Sequence, residues 1–352
     1  MHKSLYNWYN INKRDLPWRN TNDPFKIWLS EIILQQTRVE QGLPYYIKFT
    51  QNFNNINEFA NASLNDILKL WQGLGYYSRA RNMHYTAQLI RDNLNGIFPN
   101  SYSELIKLKG IGPYTAAAIA SFSNNEKKAV VDGNVFRVLA RLTGTYTDTN
   151  SNSGKNEFSK IAQDFLVENN AAIHNQAMME LGALICKPLN PDCYNCPLQN
   201  NCFAFENNEQ KNLPIKIKKV KNKTRLFNYF IFELHNLTYI TQRGPNDIWE
   251  GLFEFPLLEN ILLENENDVF NYLIENKIFD KKTKLNINFI VKYKHILTHQ
   301  TLNASFWKIT CNKKPQLAEN YIEVPLSEIK KYAVPRLLEK LITNDKLQHQ
   351  IF

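Results

Sequence analysis

The sequence predicts a mostly α-helical domain over residues 1–206 and an α+β domain over 226–352, joined by a basic linker at 207–225. Three observations carry this. Helix start and stop signals recur through the first two hundred residues, the composition changes abruptly at Asn207, and strand-type runs follow Arg225. A chain of 352 residues is long enough for two such cores.

In the first domain, Asp23-Pro24-Phe-Lys-Ile-Trp-Leu-Ser-Glu31 and the residues to Thr37 read as a helix. Asp23 suits the N-cap and Pro24 the first helical position. Ser103 to Lys109 reads as a second helix stopped at Gly110. Val135, Val138, Leu139 and Leu142 repeat at helical spacing behind Asp132, and Gly144 ends that run. The linker begins Asn/Glu/Gln-rich and ends with Lys216, Lys218, Lys219, Lys221, Lys223 and Arg225, with Pro214 inside it. Such a charged stretch is solvated, and it could also touch phosphates. Beyond it, Phe227 to Leu234, Leu237 to Gln242 and Asn288 to Tyr293 carry strand-type residues, and Val334 to Ile342 reads as a closing helix.

The charge balance, 42 Lys+Arg against 33 Asp+Glu, gives +9 and suits a polyanionic partner. A hydrophobic fraction of 43% argues against wholesale disorder. The N-terminus lacks the apolar core of a signal peptide, and no run of about 18 apolar residues is present to span a membrane. A monomeric cytoplasmic protein is expected, with no membrane partner.

Leu108-Lys-Gly-Ile-Gly-Pro-Tyr114-Thr has the form of a helix–hairpin–helix turn that holds a DNA phosphate. Gly110 and Gly112 allow the backbone to approach a surface, and Pro113 opens a helix whose N–H groups attract an anion. Gly110, Ile111, Gly112 and Thr115 are therefore candidate DNA contacts; the plainer alternative is a tight turn between packed helices. Such a grip fixes register without reading sequence.

Cleaving an N-glycosidic bond needs a proton for the departing base and a negative charge beside the sugar cation, for which two carboxyls in different environments suffice. Asp132, eighteen residues beyond Tyr114, lies at a helix start whose donors would keep it ionised. A plain N-cap is the alternative, and the two roles can coexist. Glu31 has Ile27 and Trp28 one turn before it and Leu34 one turn after, and apolar surroundings hold a proton on a carboxyl. The alternative is a surface glutamate. Where a lyase of this hairpin type carries a lysine nucleophile, this chain carries Tyr114, which points to hydrolysis.

Four of the five cysteines, Cys186, Cys193, Cys196 and Cys202, form a Cys-x6-Cys-x2-Cys-x5-Cys loop. In a reducing compartment this reads as metal binding, either zinc or an iron–sulfur cluster, and the wide first gap fits paired zinc knuckles poorly. Cys311, in Trp307-Lys-Ile-Thr-Cys, reads as a small buried hydrophobe on a strand.

These pieces together resemble the adenine DNA glycosylases of the MutY type, within the endonuclease III superfamily, over almost the whole chain. The matching stretches are Leu16-Pro-Trp-Arg19, Trp28 to Arg38, Trp71 to Arg81, Gly110 to Thr115, Val131 to Arg137, Asn175 to Gly182 and the cysteine loop. The resemblance implies a bacterial repair enzyme, held at the nucleoid through DNA, that excises adenine mispaired with 8-oxoguanine or guanine in double-stranded DNA. It also implies a [4Fe-4S] cluster on Cys186, Cys193, Cys196 and Cys202. Glu31 would protonate adenine at N7 and Asp132 would stabilise the sugar cation, steadied with the water by Tyr114 and Asn134. Gln36 and Tyr76 would wedge into the duplex, and Arg19 and Gln176 would line the adenine pocket.

The second domain resembles the family's Nudix-like reader of 8-oxoguanine. Trp249-Glu-Gly-Leu-Phe-Glu-Phe-Pro256 matches part of a Nudix sequence, but the acidic metal-binding helix is missing downstream, which disfavours pyrophosphohydrolase activity. His295-Ile-Leu-Thr298-His299 would be the reading loop, with Leu297 and Thr298 departing from the Phe-Ser of many relatives. The competing readings are an endonuclease III-like glycosylase/lyase for oxidised pyrimidines and a non-catalytic iron–sulfur DNA-binding protein. Tyr114 opposes the first, and the Glu31–Asp132 pair opposes the second.

Overall fold

The structure, a computed structural model, describes residues 1–167, 170–217 and 223–344. Its helices in chain order are α1 (His2–Asn12), α2 (Pro24–Ile33), α3 (Val39–Asn52), α4 (Ile56–Asn61), α5 (Leu64–Trp71), α6 (Ser78–Asn93), α7 (Tyr102–Leu105), α8 (Pro113–Asn124), α9 (Gly133–Thr143), α10 (Asn152–Phe165), α11 (Ala171–Leu184) and α12 (Phe203–Glu206). The strands β1 (Lys223–Glu233), β2 (Leu237–Gln242), β3 (Phe253–Glu254), β4 (Leu257–Glu259), β5 (Leu285–Ile296), β6 (Gln300–Cys311) and β7 (Ile322–Pro325) follow, with α13 (Glu266–Glu275) and α14 (Arg336–Ile342). Two compact units result, Met1–Asn61 with Asn82–Lys218, and Ala62–Arg81 with Lys219–Phe352.

The first unit is built on helix pairs. α2 packs on α8, and α11 packs on α1, α8 and α9. Val135, Val138, Leu139 and Leu142 on α9 share a core with Leu5 and Tyr9 of α1, Phe158 of α10 and Leu181 of α11. A second core is aromatic, with Trp28 against Phe59 and Phe98 at centroid separations of 6.2 and 5.2 Å. Burying each such side chain stabilises the fold by about 1.5–3 kcal/mol.

The local signals explain how the site helices begin and end. The Asp23 side chain accepts from the Phe25 N–H at 2.9 Å, and Pro24 follows at the first helical position. α2 stops at Ile33 rather than running to Thr37, and Gln36 turns into the left-handed region at φ 55°. α7 is only four residues long. Lys107 and Leu108 then bond back three residues, to Glu104 and Leu105, so the chain tightens before Gly110 at φ 79°. A Cβ at Gly110 would sit 2.9 Å from the Asn82 side chain. Gly112 differs. At φ −86° with open space around it, neither strain nor internal packing requires glycine there.

In the second unit a four-stranded mixed sheet of order β4-β1-β6-β5 stands beside an antiparallel sheet of order β3-β2-β7. β1 pairs parallel with β6 and antiparallel with β4, and its near-continuous burial marks a strand covered on both faces. One core lies between the sheets and α14, and another packs α13 against Phe230, Trp307 and Ile309. Cys311 ends β6, buried. β1 opens at Lys223, so Lys223, Thr224 and Arg225 belong to the sheet and not to a linker, paired with Gln300, Thr301 and Leu302 of β6, and Arg225 is held further by Asp247 and Glu259. Residues 218–222 of the expected linker lie outside the described residues. Among the described residues no helix is long and apolar enough to cross a membrane.

Candidate active site

A cavity of about 440 Å³ in the first unit is lined by Glu31, Tyr114, Asp132, Asn134, Arg19, Gln36 and Gln176. Two carboxyls separated by a hundred residues of sequence therefore face one chamber. Glu31 comes from α2, Tyr114 from the first turn of α8, Asp132 from the cap of α9 and Gln176 from α11.

The electrostatics divide the two acids. Glu31 is 8% exposed, and burial pushes its carboxyl up to about 7, with a hydrogen bond from Tyr114 opposing and the Asp132 charge assisting. Asp132 accepts from the N–H groups of Asn134 and Val135 at 2.9 and 2.7 Å and from Asn134 Nδ2 at 2.8 Å. These donors do not hold it at its usual value. Burial outweighs them and raises Asp132 as well, contrary to what its helix-start position alone suggests. Among the described residues three donor groups nonetheless gather on Asp132 and one, from Tyr114, on Glu31, so of the two acids Glu31 is the better placed to keep a proton. Burial also raises Tyr114 far above its ordinary range, so its phenol stays protonated.

Several side chains in or behind the chamber wall carry little sequence signal. Glu180, fully buried one turn beyond Gln176, accepts from Arg14 Nη2 at 2.6 Å and from Arg19 Nη2 at 2.7 Å. Those two guanidinium groups outweigh its burial and hold its carboxyl down at about 2. Arg19 is thereby oriented by a carboxylate 161 residues away. Tyr9 donates to Gln176 Oε1 at 2.5 Å. The Gln176–Glu180 spacing of four residues placed both on one helical face, and that signal could have found Glu180.

Two hairpin assignments need correcting. Thr115 is 2% exposed and receives Gln35 Nε2 at 3.4 Å, so its hydroxyl points inward and has no surface to offer a phosphate. The Ile111 side chain is likewise buried, and its N–H donates to Leu108 O at 3.1 Å. Gly110 and Gly112 remain exposed.

The cysteine side chains line a second cavity, together with Arg141. Arg141 donates to Cys186 Sγ at 3.4 Å and to the carbonyls of Lys187, Gln210 and Leu213, which folds the loop around it. Burial moves the Cys196 thiol up to about 12, opposed by a backbone donor at Leu198 and assisted by the neighbouring thiols. Among the described residues no three His, Cys, Asp or Glu side chains are grouped as ligands of one ion. Arg137 joins this loop to the acid pair, donating to Cys186 O at 2.7 Å and to Asn134 Oδ1 at 2.9 Å. A Cβ on Gly182 would come within 2.6 Å of Asn134, so glycine is required where α11 crosses α9.

In the second unit, Tyr76 is exposed at φ 47° and its hydroxyl bonds Thr298 Oγ1. Thr298 and His299 form the exposed tip of the β5–β6 hairpin, closed by Leu297 N–H to Gln300 O at 2.8 Å. Leu297 turns inward against the sheet core. Within the Nudix-like stretch Glu250 is paired with Arg81 and Glu254 with Arg243, and beside it Asp247 and Glu259 are paired with Arg225 and Arg243, so this region presents ion pairs in place of carboxylates open to a metal.

Comparison with known proteins agrees with this architecture. Residues 29–163 match the HhH-GPD superfamily base excision DNA repair protein family, and residues 228–344 match the NUDIX domain. The adenine DNA glycosylase of Buchnera aphidicola subsp. Baizongia pistaciae is 37% identical over 355 residues, covering 98% of this chain and 96% of that protein. The adenine DNA glycosylase of Homo sapiens is 38% identical over 219 residues, covering 60% of this chain and 40% of that protein. Among solved structures, a thermostable thymine-DNA glycosylase superposes with a TM-score of 0.54 at 26% identity, over 58% of this chain and 94% of that one. Endonuclease III in a non-covalent DNA complex superposes with a TM-score of 0.51 at 21% identity, over 60% of this chain and 97% of that one, and shares the fold.

The helical unit and its match define a base-excision DNA repair protein of the helix–hairpin–helix class. The chain belongs to the adenine DNA glycosylases, which hydrolyse the N-glycosidic bond of adenine in DNA.

Proposed function

We propose that the enzyme excises adenine paired with 8-oxoguanine or guanine, by hydrolysis and without strand cleavage. The observation that carries this is the shared chamber in which a proton-holding Glu31 faces a donor-rich Asp132. An adenine turned out of the duplex enters beside Arg19 and Gln176, at an unstacking cost of a few kcal/mol that is least at a mispair. Glu31 gives its proton to N7. As the C1′–N9 bond breaks, its electron pair stays with the base, and Asp132 stabilises the positive sugar or bonds to C1′ transiently. Water then adds at C1′, oriented by Asn134 and Tyr114, and its proton returns to the carboxyl pair. Tyr114 has no amine with which to form the imine a lyase needs, so the strand is left intact.

Gly110 and Gly112 hold a phosphate of the target strand, while Gln36 and Tyr76 fill the space the base vacates. Thr298 and His299 read the base opposite. The four cysteines, soft donors around one cavity with an arginine beside them, fit a [4Fe-4S] cluster. When bound, such a cluster ties the loop into one rigid piece, and Arg137 transmits that order to Asn134 and Asp132.

Duplexes carrying adenine opposite 8-oxoguanine, guanine, cytosine or thymine test the assignment. Free adenine should appear with the first two partners only, without nicking. Thr298→Ala combined with His299→Ala should reduce the preference for 8-oxoguanine over guanine about tenfold, the scale of one or two lost hydrogen bonds. An unchanged preference would place lesion reading elsewhere. Purified protein should contain about four iron atoms per chain with visible absorption. Cys196→Ser should lose both, along with most of the excision rate, whereas stoichiometric zinc would refute the cluster.

A further inference from the structure

We infer that Tyr9 is a positioning residue that fixes which end of the Gln176 carboxamide faces the base, so that this wall of the chamber demands a lone pair from whatever enters. This rests on the reading that the chamber receives the extruded base. Tyr9 lies on α1, 3% exposed, with its ring in the core beside Leu5 and Leu181. The Arg19 guanidinium lies 5.8 Å from the centre of that ring. Its hydroxyl reaches Gln176 at 2.5 Å. That separation belongs to O–H···O bonds, which span about 2.5–3.0 Å, and is too short for N–H···O bonds, which begin near 2.7 Å. The carboxamide oxygen therefore meets the phenol, and the NH2 group is left for the chamber that Gln176 lines.

An unclamped glutamine could offer either end to a base, donor or acceptor. The clamp removes that choice. The neighbouring Glu180 is already engaged, its Oε1 accepting from the Arg14 backbone N–H, Arg14 Nε and Arg19 Nη1 and its Oε2 from the Nη2 groups of both arginines. An adenine presents lone pairs at N1, N3 and N7, while its exocyclic amine presents hydrogens. With N7 assigned to Glu31, the NH2 of Gln176 is matched to N1 or N3. A base bearing hydrogen at the matched nitrogen would set donor against donor.

The test compares single-turnover release of adenine, 1-deazaadenine and 3-deazaadenine, each opposite 8-oxoguanine, by the wild-type protein, Tyr9→Phe and Gln176→Ala. Tyr9→Phe keeps the packed ring and removes only the hydroxyl. We expect the wild type to lose about tenfold on one of the two analogues, the worth of a single well-placed hydrogen bond. That same penalty should shrink to about twofold or less in Tyr9→Phe, and likewise in Gln176→Ala, which needs no clamp to be informative. A merely structural role would slow all three bases alike. Such uniform slowing would overturn the inference, as would equal analogue penalties in all three proteins or none in the wild type. Failure of the wild type to release adenine at all would overturn the reading of the chamber, and this inference with it.

Discussion

Glu31→Gln is expected to slow adenine release by about 10³-fold, within the range that a positioned general acid supplies, while making the protein more stable above pH 7. The two effects have one cause. Burial raises the Glu31 carboxyl to about 7, so the folded chain retains a proton that the unfolded chain has already released. A raised folded-state value means that stability is fully present below the unfolded value, declines as pH climbs, and is lost once pH passes about 7. The displacement from 4.5 corresponds to roughly 3 kcal/mol, and a neutral glutamine escapes it. In the wild type the acid form is present below about pH 7, so the rate should fall as pH rises through that value. Thermal melting at pH 8 and single-turnover rates from pH 5 to 9 measure both consequences. A variant that is destabilised yet still active would remove Glu31 from the acid role.

Asp132→Asn is expected to cost at least about 10³-fold in rate, comparable to the loss of a preorganised electrostatic group facing developing charge. The fold should survive, because an asparagine oxygen can still accept from the Asn134 and Val135 N–H groups that cap α9. The more telling result concerns the other acid. The Asp132 charge helps raise Glu31, so removing it should move the midpoint of the residual pH profile below that of the wild type. Efficient release by the asparagine variant, or an unmoved midpoint, would show that the two carboxyls do not act together.

Local sequence carried much of this. Asp23-Pro24 signalled the start of α2 because capping involves neighbouring residues only, and Gly144 at φ 71° ended α9 for the same reason. Ile27, Trp28 and Leu34 around Glu31 indicated a carboxyl in apolar surroundings, which follows from helical spacing. What local signals could not reveal was the balance at Asp132, where burial by distant helices overrides the cap. Nor could they reveal that Thr115 turns inward, since the side chain that meets it, Gln35, lies 80 residues earlier. The Arg14–Glu180–Arg19 cluster was hidden in the same way. Each residue is an ordinary polar position in its own segment, and only the packing of α1 on α11 makes them one wall. The Nudix-like stretch showed the opposite limit, because its sequence matched while its carboxylates, Glu250 and Glu254, had been committed to arginines.

The pairing of Arg14 and Arg19 with Glu180 has a consequence for the newly made chain. In synthesis from the amino end, Arg14 and Arg19 precede Glu180, their acceptor in the folded unit, by 166 and 161 residues. Until α11 is made, Tyr9 and Gln176 are strangers, and Asp132 lacks the neighbours that exclude water from it. This wall of the chamber is therefore complete only when α11 has packed on α1. A fragment that stops short of α11 would hold the hairpin and both acids and still lack Gln176 and Glu180.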